Sequence, residues 1–157
     1  MTVTPLGVSG AGPRTWSPTD VTGLRFAHPA FDDTASVGLL VSRTGRLETA
    51  RGPDLIRQSL LLLLSTYPGE RVMRPDYGCE LLTLAFARND DTTAGLAIHY
   101  VRQAVERFEP RIKILRIDAT RSPERPERLD VLLEYQPKLG GTPEELRVGV
   151  VLDAGSR

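Results

Sequence analysis

Apolar positions change rhythm several times along the chain, and each rhythm predicts an element. From Asp54 they crowd into "DLIRQSLLLLLST". Pro53 suits a first helical position and Asp54 complements the helix dipole, so a first helix starts near Pro53 and stops before Pro68-Gly69. Its second half is apolar almost all round, which makes it a central core helix. A short helical turn follows at "ELLTLAFA". Ile98, Val101, Val105 and Phe108 then form the stripe of a second helix, preceded by Asp90 and Asp91, capped by Thr92 and ended by Pro110. "RIKILRID" is apolar with a phase slip between Ile114 and Leu115, the mark of a bulge. "RLDVLLEYQ" alternates through Leu129, Val131, Leu133 and Tyr135, and "ELRVGVVLD" through Leu146, Val148, Val150 and Leu152. Turn-rich connections make these three strands an antiparallel meander.

Upstream, "GLRFAHPAFDD" reads as extended strand or loop, and "SVGLLVSRTGRLETA" places Val37, Leu39 and Val41 on one face before the turn at Thr44-Gly45. That predicts a β-hairpin. The fold class is α+β: a single domain whose antiparallel sheet, the C-terminal meander plus the N-terminal hairpin, is covered by two main helices. Residues 1–22 are rich in Pro, Gly, Ser and Thr and form a flexible extension; residues 23–157 form the domain. The extension is either a plain tail or an arm that orders on a neighbour, with Trp16, the chain's one tryptophan, as anchor.

Composition narrows the function. The 157 residues carry 20 basic and 20 acidic side chains, so no overall field draws the chain to nucleic acid or an anionic membrane. All basic residues but Lys113 and Lys138 are arginine, which supplies planar forks for carboxylates. A single cysteine, Cys79, excludes an internal disulfide and favours a reducing compartment. Leu60 to Leu64 is too short an apolar run to span a bilayer, and no signal-peptide pattern opens the sequence. A cytoplasmic, soluble chain without membrane insertion is expected.

Enzymatic chemistry finds few footholds. His28, His99 and Cys79 lack metal-ligand spacing, so no metal or cofactor is expected. "GVSGAG" has neither a preceding strand nor a following helix, as a phosphate-binding loop requires. Glu70, Asp76, Glu80 and Glu109 are candidate acid and base for glycoside hydrolysis. They are interleaved with Arg71, Arg74 and Arg111, whose charge favours permanent ion pairs over proton transfer. Glu109 lies at the C-terminal end of the second helix, where a carboxylate needs a compensating cation. Two readings stay open: an internal ion pair tying the Thr66–Gly78 loop to the helix–strand junction, or charges that face a partner protein.

An apolar helix running into "TYPGERVMRPDYGCEL", a second helix ending in "FEPRI" and then strands resembles the baseplate wedge family of contractile tails. That family includes the phage sheath-initiator wedge protein, the TssE-like component of type VI secretion and the matching subunit of extracellular injection particles. The residues that carry the resemblance are Pro68, Gly69, Glu70, Arg71, Arg74, Pro75, Gly78 and the triplet Glu109-Pro110-Arg111. It implies a non-enzymatic structural part of a phage tail or injection particle, assembled in the cytoplasm, six copies to a baseplate. Its implied partners are larger wedge proteins, the sheath subunit and inner tube or hub proteins. Glu109, Pro110, Arg111, Glu70, Arg71 and Arg74 would bind the wedge core bundle, while Pro68, Gly69, Pro75 and Gly78 shape the loop. The C-terminal strands, with Leu129, Val131, Leu133, Val148 and Val150, would face the sheath and template its first ring by accepting extended arms. Some members carry a lysozyme name, so a peptidoglycan hydrolase acting through Glu70 and Glu109 is the alternative.

Overall fold

The computed structural model describes residues 21–27, 38–138 and 140–152. Helix α1 (Gly52–Ser65) holds Pro53 and Asp54 in its first turn and buries Leu55, Ile56, Leu60, Leu61, Leu63 and Leu64, as its all-round apolar second half predicts. The segment expected to make a short turn of helix is a 3-10 helix (Glu80–Phe86) that buries Leu81 and Leu84. Helix α2 (Asp91–Phe108) buries Ala97, Val101, Ala104 and Val105. Its cap is Asp90 rather than Thr92: the Thr93 N–H donates to Asp90 Oδ1 at 2.9 Å. An N-cap carboxylate reaches the third helical residue, and Thr92 is already inside the first turn.

Strands β5 (Ile112–Arg121), β6 (Arg128–Pro137) and β7 (Glu144–Val151) form the expected antiparallel meander in the order β5-β6-β7. The register shifts between Ile114 and Arg116, the bulge that the phase slip predicts. Alternation sends Leu129, Val131, Leu133, Tyr135, Leu146 and Val150 into one core with Leu60, Leu63 and Val101. Helix α2 lies along β5, the 3-10 helix abuts β7, and α1 packs between α2 and the N-terminal strands. The opposite face of the sheet is polar, laced by Arg116–Asp118 at 2.7 Å and Glu145–Arg147 at 2.6 Å.

The N-terminal region departs from the expected hairpin. The turn forms, with the Ser42 N–H donating to Arg46 C=O at 2.7 Å, but the hairpin's own pairing shrinks to one bridge, Val41 to Leu47. Its arms pair instead with the preceding segment: β2 (Phe26–Ala27) with β3 (Gly38–Leu39), and β1 (Thr22–Leu24) with β4 (Thr49–Arg51). Gln58 of α1 clamps that segment, accepting from the Phe26 N–H and donating to Leu24 C=O, both at 2.8 Å. Leu39 and Val41 are consequently exposed, and Val37 lies outside the described residues. Thr22, assigned to the extension, belongs to β1.

The Thr93 amide holds the Asp90 carboxyl below its ordinary value. A carboxyl depressed in the folded state stabilises above its unfolded pKa, and that contribution is lost as pH falls through the folded value. Asp90→Asn, which keeps a capping side chain, therefore loses less thermal stability than wild type when melting temperatures are measured from neutral pH down through the carboxylate range.

Candidate functional site

The two charged motifs come together at the C-terminal end of α2. Glu109 is only 5% exposed, and both its oxygens are taken by one fork: Arg111 Nε donates to Oε1 at 2.5 Å and Nη2 to Oε2 at 2.6 Å. The same Nη2 reaches Ser59 Oγ on α1 at 3.0 Å, and Ser59 Oγ–H donates to the Leu55 carbonyl at 2.8 Å. Hydrogen bonding to Glu109 raises the Arg111 guanidinium above its ordinary pKa. Of the two open readings, the internal ion pair is what this geometry shows for Glu109 and Arg111, while Pro110 between them is exposed.

The Thr66–Gly78 loop is tied to that junction by rings rather than by Glu109. Tyr77 packs on Phe108 of α2 at 5.2 Å between centroids, and the Arg71 guanidinium lies 4.2 Å over the Tyr77 ring. Burial raises the Tyr77 phenol above its ordinary value, with Arg71 opposing and Glu109 adding to the shift. Asp76 pairs with Arg107 at 3.4 Å. Inside the loop, Glu70 Oε2 accepts from the Tyr67 N–H at 2.9 Å, and the Gly69 N–H donates to the Pro75 carbonyl at 2.7 Å. At the base, the Cys79 N–H donates to Thr66 C=O at 2.9 Å. Gly78 has φ 141°, and a Cβ there would sit 2.5 Å from the Thr66 oxygen, so only glycine lets the loop close. Pro68 and Pro75 stand at either end of the inner loop, where the sequence places them. The Arg74 side chain is exposed and makes no hydrogen bond or ion pair among the described residues.

The side chains named on the expected sheath-facing strands point into the core. Leu129, Val131 and Leu133 are buried in β6, which is paired on both sides and offers no edge. Val150 is buried and Val148 packs against the core, so their side chains face the helices. What β7 presents outward is backbone. The Leu152 N–H donates to Glu127 C=O at 2.7 Å, in register with the Arg128–Val151 pair. Because hydrogen-bonded pairs alternate in an antiparallel ladder, Glu145, Arg147, Gly149 and Val151 turn their N–H and C=O groups away from β6. The Glu145 carbonyl is taken by Arg57 Nη1 at 3.2 Å; the groups of Arg147, Gly149 and Val151 are unpaired among the described residues. The other edge is blunted. By the same reasoning from the Ser122 N–H to Arg128 C=O bond, Ala119 faces outward from β5, but its N–H is held by Asp118 Oδ1 at 3.0 Å, and the bulge precedes it.

No carboxylate pair is arranged for glycoside hydrolysis at the two proposed acids: Glu109 is locked to Arg111, and Glu70 is exposed on a backbone amide. A cavity of about 490 Å³ between α1 and the N-terminal strands has Asp54 as the one acid among its described lining residues. Among the described residues no three His, Cys, Asp or Glu side chains are grouped to hold a metal ion, and no helix is long and apolar enough to cross a membrane. Trp16 and His28 lie outside the described residues. Reading the sequence singled out the loop's charges but not Val72, Met73 or Tyr77; the two apolar residues inside "RVMRP" were the available signal.

Two measurements check this geometry. Arg111→Ala leaves a buried carboxylate without its cation and lowers unfolding stability by about 2–4 kcal/mol in urea titration, below the full cost for a dry pair because Arg111 is 29% exposed. Replacing both partners by leucine costs less than that single change. Cys79 is 1% exposed and burial pushes its thiol up to about 11. A thiol reagent at neutral pH therefore labels it only as the loop base opens or the chain unfolds, and labelling as fast as a free thiol contradicts the closed loop.

Comparison with known proteins agrees with this architecture. The family model described as baseplate wedge protein gp25 matches residues 50–140. Baseplate wedge protein gp25 of Enterobacteria phage T4 is 33% identical over 63 residues, 40% of this chain, which spans about half (48%) of that relative's length. A crystal structure from Geobacter sulfurreducens, named as a candidate tail lysozyme, is 33% identical with a TM-score of 0.59, covering 66% of this chain and 93% of that one. A chain of the anti-feeding prophage baseplate, solved with 6-fold symmetry, superposes with a TM-score of 0.55 over 83% of this chain and 86% of its own; at 18% identity that likeness shows the fold alone. With the family model spanning more than half of the sequence, this chain belongs to the baseplate wedge protein gp25 family.

Proposed function

We propose that this protein is a non-enzymatic structural subunit of a contractile-tail baseplate that starts the sheath by accepting an extended segment of a sheath subunit along β7. The observation that carries this reading is the asymmetry of the sheet's edges. A free edge is a template for another chain's strand, and folds that have no use for it cover or charge it. Here β5 is blunted by its bulge and by Asp118, while β7 leaves three consecutive outward positions open after Glu145. Arg57 occupies the Glu145 carbonyl and so sets where an added strand ends. Larger wedge proteins would dock on the other side of the molecule's chemistry, the Thr66–Gly78 loop, with Arg71 and Arg74 outermost. Glu109 and Arg111 serve that surface by holding the loop's support rigid rather than by touching the partner through the carboxylate. Membership of the family and the sixfold symmetry of the anti-feeding prophage baseplate support six copies per particle.

The hydrolase alternative draws support from the name of the Geobacter protein but none from the geometry, because its two proposed acids are engaged in static contacts.

Arg147→Pro tests the edge. Proline there removes an outward N–H and leaves the β6–β7 ladder intact, a position where an edge strand tolerates it. The variant keeps its fold by circular dichroism, and purified protein no longer seeds sheath assembly from sheath subunits where wild type does. Equal seeding by both removes the β7 edge from the account.

A further inference from the structure

Val72 and Met73 are 92% and 93% exposed, among the most exposed large apolar side chains in the described structure. They occupy the two corner positions of a turn closed by the Arg74 N–H on the Arg71 carbonyl at 3.2 Å. Met73 has φ 66°, and among the described residues it is the sole non-glycine with positive φ. That corner ordinarily takes Gly or Asn, so a methionine adds backbone strain while its side chain makes no use of its own core. The turn is nonetheless firmly based, through Arg71 on Tyr77, Tyr77 on Phe108 and the Gly69–Pro75 bond. Strain held in a rigid, fully exposed tip is explained by a use outside the chain.

We infer that Val72 and Met73 form a docking knob that inserts into a shallow apolar pocket edged by carboxylates on another baseplate protein. The inference rests on the baseplate reading above and names the chemistry of the partner. Charge selects that partner. Arg71 and Arg74 flank the knob, whereas the loop's acids are turned elsewhere, Glu70 onto the Tyr67 amide and Asp76 onto Arg107. The tip is therefore cationic with an apolar point, complementary to an acidic rim around an apolar floor. Methionine's unbranched thioether fits itself to such a floor. A lipid surface is the weaker match, since two apolar side chains fall well short of what anchors a protein at a bilayer.

The test uses the full chain inside purified particles. A photo-crosslinking benzoylphenylalanine at position 73 is expected to capture one segment of a different baseplate protein, apolar and bordered by Asp or Glu, identified by mass spectrometry. Met73→Asn, which suits positive φ, is expected to melt at or above the wild-type temperature yet enter particles at least about tenfold less well, the scale set by losing a buried side chain of that size. Crosslinks only to solvent, to the chain itself or to lipid overturn the knob, as does normal incorporation of Met73→Asn. Absence of the wild-type protein from particles overturns the baseplate reading instead.

Discussion

The fork between Arg111 and Glu109 ties α1 to the end of α2 and the start of β5. Burial and the negative end of α2 both disfavour a carboxylate at position 109, so the residue is tolerable only with a cation bound to both oxygens. Pro110 ends the helix and makes the chain turn so sharply that the neighbouring Arg111 can fold back to supply it. The guanidinium then has a donor left for Ser59, which joins α1 to the junction of α2 and β5. Such a pair adds little net stability over apolar packing, but it fixes the geometry of three elements at one point. The tilted contact of Tyr77 with Phe108 lies beside that point, and the Thr66–Gly78 loop is presented from it.

Two outward features follow from this frame and lie on different elements. The loop offers side chains, a cationic tip with an apolar point, whose backbone is preset by Gly69, Gly78 and the turn at Met73. The sheet offers backbone along β7, while Asp118 and the bulge interrupt the edge of β5. One surface is suited to fixed recognition of a folded neighbour and the other to capture of an extended chain.

Much of this was legible in the sequence. Period and punctuation placed both helices, the meander and even the bulge, because those segments bury one face against a common core and so carry a strong repeat. The N-terminal hairpin misled because Leu39 and Val41 alternate as a buried strand does, while the pairing that exposes them depends on Gln58, far along the chain. The cap shifted by two residues, from Thr92 to Asp90, since both residues can cap and only geometry chooses. For the site, the charged motifs left two directions open for Glu109, and the geometry turns it inward onto Arg111. Alternation also marked Leu129, Val131 and Leu133 as notable, but it reports which face is buried and not which strand is an edge. Edge identity comes from strand order, and the unpaired groups of β7 come from ladder parity, neither of which a single strand's pattern contains.

We propose a structural role at the point where the sheath begins. Electron microscopy of particles from a strain lacking this gene, with and without the wild-type gene restored, tests it most directly. Sheathed particles are expected to be missing without the gene and to return with it. Intact, normally sheathed particles in the strain without the gene would contradict it.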